Sequence, residues 1–154
     1  MQKTTVEIDF ETSIGPWLGR TVKLVDYHLQ EAFDTHRIDL TKEQMIVLKT
    51  LNEQDGINQN ELACLTFRDK SSLARLLSKM EGKNYIMRVQ SEEDKRHNAV
   101  FITSEGANVF DRTRPVIQEI IDIMEYGISV EHKTMMIEHL KKIQNNFKTK
   151  LELK

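Results

Sequence analysis

The sequence predicts a mostly α fold with a small β-hairpin wing, and three observations carry that expectation. Turn formers are scarce, with 6 Gly and 2 Pro in 154 residues, about 5% where roughly 12% is usual. A sandwich or barrel of short strands would lack the turns it needs. Apolar residues recur at intervals of three and four along most of the chain, which is the period of an amphipathic helix. Two short strand-like runs, 86–90 and 98–102, bracket one polar stretch, the pattern of a single hairpin. A chain of this length, 39% hydrophobic and 30% charged, is long enough for one domain with its own core and too apolar to be disordered.

The elements follow in order. Ile14, Leu18, Thr21, Val25, Leu29 and Ala32, with Trp17, Leu24 and His28 beside them, predict a first helix over about 12–35. Thr41 ahead of Lys42, Glu43 and Gln44 is a capping-box pattern. It opens a second helix through Met45, Leu48 and Leu51 that stops near Asp55 and Gly56. Asn58, with Glu61 three residues on, starts a short third helix through Leu62 and Leu65. Asp69 caps a fourth, whose Leu73, Leu76, Leu77 and Met80 face inward while Ser71, Ser72, Arg75 and Lys79 face outward. Ile86 to Gln90 and Asn98 to Ile102 are the two strands, and Ser91 to His97 form the charged tip between them. Thr103 or Ser104 caps a fifth helix through Phe110, Ile117, Ile120 and Met124. It continues past Pro115, which removes one backbone hydrogen bond and is expected to bend it. Gly127 ends that helix, and Ser129 caps a sixth in which Met136, Leu140, Ile143 and Phe147 repeat at spacings of four, three and four.

Several function classes drop out at this stage. The longest apolar runs, Met45 to Leu48 and Ala99 to Ile102, are four residues each, far from the eighteen or more of a membrane span. Glu7, Asp9 and Glu11 stand where a secretory signal would carry a basic end and an apolar block, so the chain is expected to be cytoplasmic. A single cysteine, Cys64, excludes a disulfide framework. There is no Gly-rich phosphate loop, no nucleophile elbow and no helical histidine pair at i, i+4, so neither an enzyme nor a metal or cofactor site is expected.

Net charge is only −2, yet its distribution is uneven. Residues 1–65 carry 6 Lys+Arg against 11 Asp+Glu, residues 66–97 carry 8 against 5, and residues 98–154 carry 8 against 8. The basic middle consists of Arg68, Lys70, Arg75, Lys79, Lys83, Arg88, Lys95 and Arg96, so a polyanion would dock there. A merely solvated face has the same appearance.

Three helices followed by a two-stranded wing, with helices added at both ends, make a winged helix-turn-helix with N- and C-terminal dimerisation helices. Five short runs then carry a family resemblance: Leu40-Thr41-Lys42-Glu43-Gln44, Asn58 to Ala63, Asp69 to Leu77, Asp94-Lys95-Arg96, and Ile102-Thr103-Ser104-Glu105-Gly106. In this order and spacing they resemble MarR-type transcriptional regulators over roughly 40–150. Before the first wing strand, where that family usually has glycine, the chain has Lys83-Asn84-Tyr85. Asn tolerates the left-handed conformation a helix end requires.

Major-groove readout needs a helix with donors at its N-terminal end and outer face, and Ser71, Ser72, Arg75 and Lys79 fit. The resemblance implies that Ser71, Ser72 and Arg75 read DNA, with Arg68, Lys70 and Lys79 on phosphates. It places Arg96 in the minor groove and gives Asp94 the task of orienting the wing. Arg88 and Lys95 complete the expected DNA-binding set as cations of the same basic stretch. Trp17, Tyr27 and His28 are either core residues or the lining of a pocket for a small aromatic effector. Met136, Leu140, Ile143 and Phe147 are the expected dimerisation stripe, and Cys64 is either a small core residue or a thiol sensor.

The resulting expectation is a single domain, 1–154, with a DNA-binding lobe at 36–103 and dimerisation helices at 10–35 and 104–150. Its function would be that of a sequence-specific, double-stranded-DNA-binding transcriptional regulator. It would act as a homodimeric repressor on a pseudo-palindromic operator, released by a small-molecule effector. Two other readings stand beside it: a winged-helix protein-interaction module that has lost DNA binding, and a thiol-based oxidant-sensing regulator acting through Cys64.

Overall fold

The computed structural model describes residues 5–94 and 96–152. Among these, six helices and three strands follow one another as α1 (Ile14–Thr35), α2 (Lys42–Glu53), β1 (Ile57–Asn58), α3 (Gln59–Leu65), α4 (Lys70–Gly82), β2 (Ile86–Gln90), β3 (Asn98–Ile102), α5 (Ser104–Glu125) and α6 (Val130–Glu152). The chain divides into two compact units, Met1–Ile120 and Ile121–Lys154.

The first unit is built by local signals that agree with one another. At α2 the Thr41 hydroxyl accepts from the Gln44 amide while the Gln44 side chain accepts from the Thr41 amide, a complete capping box. Asn58 caps α3 by accepting from the Asn60 amide, and Asp69 caps α4 by accepting from the Ser72 amide. At α5 the capping oxygen belongs to Thr103, which accepts from the Gly106 amide. The first helix starts at Ile14, two residues later than its periodicity suggests. Asp9 folds the preceding segment into a turn, accepting from the Glu11 and Thr12 amides.

Three helices of this unit end in the same device. After α1, α3 and α4 the chain turns through a residue with positive φ: Arg37 (54°), Phe67 (53°) and Asn84 (61°). In each, the next residue's amide bonds back five positions, Ile38 to Phe33, Arg68 to Ala63 and Tyr85 to Met80, at 2.9 to 3.0 Å. These are Schellman caps with the usual glycine replaced. The left-handed conformation costs about 1–2 kcal/mol for most side chains other than glycine, less for Asn. Asn84 thus makes the turn expected of it.

The sheet corrects one expectation. The wing strands pair antiparallel with Ile86 opposite Ile102 and Gln90 opposite Asn98, but a third strand, β1, pairs with β3 through Ile57 opposite Val100 and Asn58 opposite Ala99. Two residues are too short to show a period in sequence, so this strand could be seen only through its partner. Ile57 and Val100 are both buried, and they join the sheet to a core of Phe33, Val47, Leu48, Leu51, Leu62, Leu73, Leu77 and Met80, all fully enclosed. The four inward positions read in α4 are therefore correct.

In the second unit, Gly127 turns the chain at φ +76° and Ser129 accepts from the His132 amide at the start of α6. Lys133 pairs with Glu125 at 2.7 Å. Met135, Met136, Ile137, Leu140 and Phe147 of α6 are all exposed.

Candidate nucleic-acid interface

The tight pair α3 and α4, joined by residues 66–69, is a helix-turn-helix, and its second helix presents a polar outer face. Lys70, Ser71, Arg75 and Lys79 are exposed and Ser72 is half-buried. Asp69 organises the start of this helix: besides capping the Ser72 amide at 2.8 Å, it accepts from the Ser71 hydroxyl at 2.8 Å. The Ser72 amide bond, followed by the Ser71 hydroxyl bond, holds the Asp69 carboxyl below its usual range. A carboxyl whose pKa is lower folded than unfolded contributes stability that is full above the unfolded value and is lost as pH falls through the folded one. The parent protein is therefore expected to lose more stability between pH 5 and pH 3 than Asp69→Asn, which keeps a neutral cap. Urea melts at four pH values check this, and identical acid dependence in the two proteins would refute it.

Arg68 and Arg88 stand apart from the other cations. Arg68 is half-buried and donates through Nη2 to Ser72 Oγ at 3.0 Å, so it props the helix rather than extending from it. Arg88, on β2, pairs with Glu81 and donates to Ser78 Oγ at 3.1 Å, both on α4. It ties the wing to the helix.

The wing tip is organised by Asp94. Its Oδ1 accepts from the Arg96 amide at 3.0 Å and lies 3.4 Å from the Arg96 guanidinium, while its Oδ2 lies 3.3 Å from His97 Nε2. The Arg96 side chain is 91% exposed, so this ion pair holds little energy and leaves the cation available. Lys95 lies outside the described residues. The opposite ring nitrogen of His97, Nδ1, is 3.3 Å from Asn60 Nδ2 on α3. His97 thereby links the wing to the helix-turn-helix, a role the sequence did not reveal because it depends on two segments 37 positions apart. Asn58, Ser91, Asp94 and His97 line an open cleft at this junction.

At the other end of the lobe Lys83 reaches Asp39 Oδ1 at 2.8 Å and Gln44 Oε1 at 3.2 Å, and Tyr85 donates to the Asp39 carbonyl at 3.0 Å. Burial pushes the Tyr85 phenol up, with Asp39 adding to it. Lys83 is thus part of the frame, although the charge pattern grouped it with the basic stretch.

Two other expectations change. Cys64 is exposed on α3, not a small core residue, because the inward positions of that short helix are taken by Leu62 and Ala63. Trp17, Tyr27 and His28 are exposed on α1 and do not belong to the core. Trp17 donates its indole N–H to the Glu11 carbonyl at 2.9 Å under the Arg20 guanidinium, and Tyr27 meets His28 edge to face at 5.4 Å.

Residues 40–97, which span the helix-turn-helix and the wing to its tip, match the model of the MarR family. The HTH-type transcriptional regulator SarZ of Staphylococcus epidermidis is 30% identical over 111 residues, 72% of this chain and 71% of that one. The chain belongs to the MarR family. It is a winged-helix regulator of that group. The crystal structure of AbsC, a MarR family transcriptional regulator from Streptomyces coelicolor, matches with a TM-score of 0.81 at 21% identity, covering 95% of this chain and 99% of that one. A mutant of the MarR protein from Escherichia coli, crystallised in complex with operator DNA, matches with a TM-score of 0.75 at 26% identity, covering 88% and 99%. Among the described residues no helix is long and apolar enough to cross a membrane, and no three His, Cys, Asp or Glu side chains gather in a group able to hold a metal ion.

Proposed function

We propose that this MarR-family regulator binds double-stranded DNA with α4 in the major groove and the wing tip in the minor groove. The observation that carries the reading is the outward face of α4: Lys70, Ser71, Arg75 and Lys79 are exposed on a helix whose opposite face is buried. Donors arranged this way suit base edges and phosphates, and a relative of the same fold has been crystallised with operator DNA. Ser71, Ser72 and Arg75 address bases, Lys70 and Lys79 address phosphates, and Arg96, oriented by Asp94, enters the minor groove. Arg68 and Arg88 serve as props, on the contacts described above. The functional division is a DNA-binding lobe at 36–103 with dimerisation helices at 10–35 and 104–150 in one working unit of 1–154.

The protein acts in the cytoplasm as a homodimeric repressor on a pseudo-palindromic operator and is released by a small aromatic effector near Trp17, Tyr27 and His28. Exposed rings on α1 support the last element.

Two substitutions separate the reading elements. Arg75→Ala is expected to cost about 1–3 kcal/mol on the operator and much less on scrambled DNA, because a base contact discriminates between sequences. Arg96→Ala is expected to weaken both duplexes and to reduce the salt slope by about 1, because its attraction depends on groove width and phosphate field. Asp94→Ala should imitate a weaker Arg96→Ala. Fluorescence anisotropy at three salt concentrations, on a duplex selected from a random pool and on its scramble, measures all of these. Unchanged affinities for Arg75→Ala and Arg96→Ala would transfer the protein to the interaction-module reading.

A further inference from the structure

Phe67 places a large apolar side chain, which its own fold does not use, on a left-handed backbone that the end of α3 does use. It is 89% exposed, second only to Tyr126 among the described large hydrophobic residues. Its backbone is left-handed, φ 53°, at a Schellman position where glycine is the undemanding choice. A bulky residue with positive φ is an outlier that calls for a reason. Neither reason lies inside the lobe: the cap's hydrogen bonds, Phe67 N to the Cys64 carbonyl at 3.2 Å and Arg68 N to the Ala63 carbonyl at 3.0 Å, involve backbone only and would survive with glycine. The ring adds nothing to the core. Strain of this kind gathers at functional sites, where the side chain has a use outside its own fold.

The position indicates that use. Phe67 precedes the α4 cap, Asp69, by two residues, and the first turn of α4 carries Lys70 and Ser71 on its exposed side. In a helix-turn-helix the N-terminal end of the second helix points at the base edges, so the turn before it reaches the wall of the same groove. The apolar group that the major groove offers is the thymine 5-methyl, and phenylalanine is among the side chains that pack on it.

We infer that Phe67 is a specificity residue of the DNA interface, reading a thymine methyl in each half-site by apolar contact. This rests on the DNA-binding reading above. At 89% exposure the ring stands in solvent rather than in the helix pair, and a phenyl group is kept at a left-handed position that glycine would fill without strain.

The test separates strain from contact, because the two predict opposite consequences. Phe67→Gly relieves the backbone and should raise the thermal midpoint of the full-length protein. It should also weaken the selected operator about fivefold or more, with Phe67→Leu in between. Replacing thymidine by deoxyuridine, one position at a time, should weaken the parent at one thymine per half-site and leave Phe67→Gly indifferent there. If no sequence is enriched from the random pool by the parent, the DNA-binding reading fails and this inference with it. If an operator is enriched but Phe67→Gly binds it as tightly as the parent, or both proteins respond equally to loss of the methyl, only the role given to Phe67 is overturned.

Discussion

Gly106→Ala is expected to destabilise the first unit by about 3 kcal/mol or more, the upper end of what one added methyl does in a packed interior. Gly106 lies buried in the first turn of α5, and a Cβ there would stand 2.0 Å from the Tyr85 carbonyl oxygen, 2.9 Å from its carbon and 3.1 Å from Ile102 Cγ1. A side chain could rotate aside, but this obstacle is backbone. The Tyr85 carbonyl accepts from the Thr103 amide at 3.1 Å, and the Tyr85 amide closes the α4 cap on Met80 at 3.0 Å. Moving that peptide unravels the cap of the proposed recognition helix and the entry to α5 together. Gly82, the last residue of α4, provides the contrast: nothing lies within 4 Å of its would-be Cβ. Gly82→Ala is expected to be neutral or to stabilise by up to about 1 kcal/mol. Urea denaturation at one fixed protomer concentration compares the three proteins. A Gly106→Ala variant within 1 kcal/mol of the parent would refute the clash.

The same contact explains what was legible in the sequence. The starts of α2, α3 and α4 were, because a cap is a residue and its near neighbours: Thr41 with Gln44, Asn58 with Asn60 and Asp69 with Ser72 lie within three positions of each other. The wing strands were, because each shows its pattern in five residues. What escaped is non-local. The pairing of Ile57 with Val100, the approach of His97 to Asn60 and the crowding of Gly106 by Tyr85 join positions that only the folded chain brings together. Charge counting erred for the same reason. Arg68, Lys83 and Arg88 count equally with Arg75 and Lys79, yet the first three bind Ser72, Asp39 and Glu81. Which cations remain for DNA depends on where the acids and hydroxyls have come to lie.

Leu140→Asp combined with Phe147→Asp is expected to abolish dimerisation and, with it, tight operator binding. In α6 the apolar positions Met136, Leu140 and Phe147 are 54%, 37% and 68% exposed, on a repeat of four and seven residues that runs along one side of a helix. A stripe of this kind left in water is a liability, and the economical way to cover it is the same stripe on a second copy about a two-fold axis. Two half-sites engaged by one dimer multiply affinity by roughly 10² to 10⁴ over a single lobe, because the second lobe binds as if already concentrated at its site. Two buried carboxylates from each copy at the seam would be too costly to desolvate. Light scattering at micromolar concentration should give about twice the 18.0 kDa of one chain for the parent and about that single mass for the double variant. Circular dichroism should show both proteins still helical. The operator affinity of the variant should fall by at least about 100-fold while its weak binding to scrambled DNA, which one lobe can supply, persists. The reverse pattern, a parent that is a monodisperse 18.0 kDa monomer and already binds its operator tightly, would mean that one lobe suffices and that the stripe on α6 serves something other than a second copy.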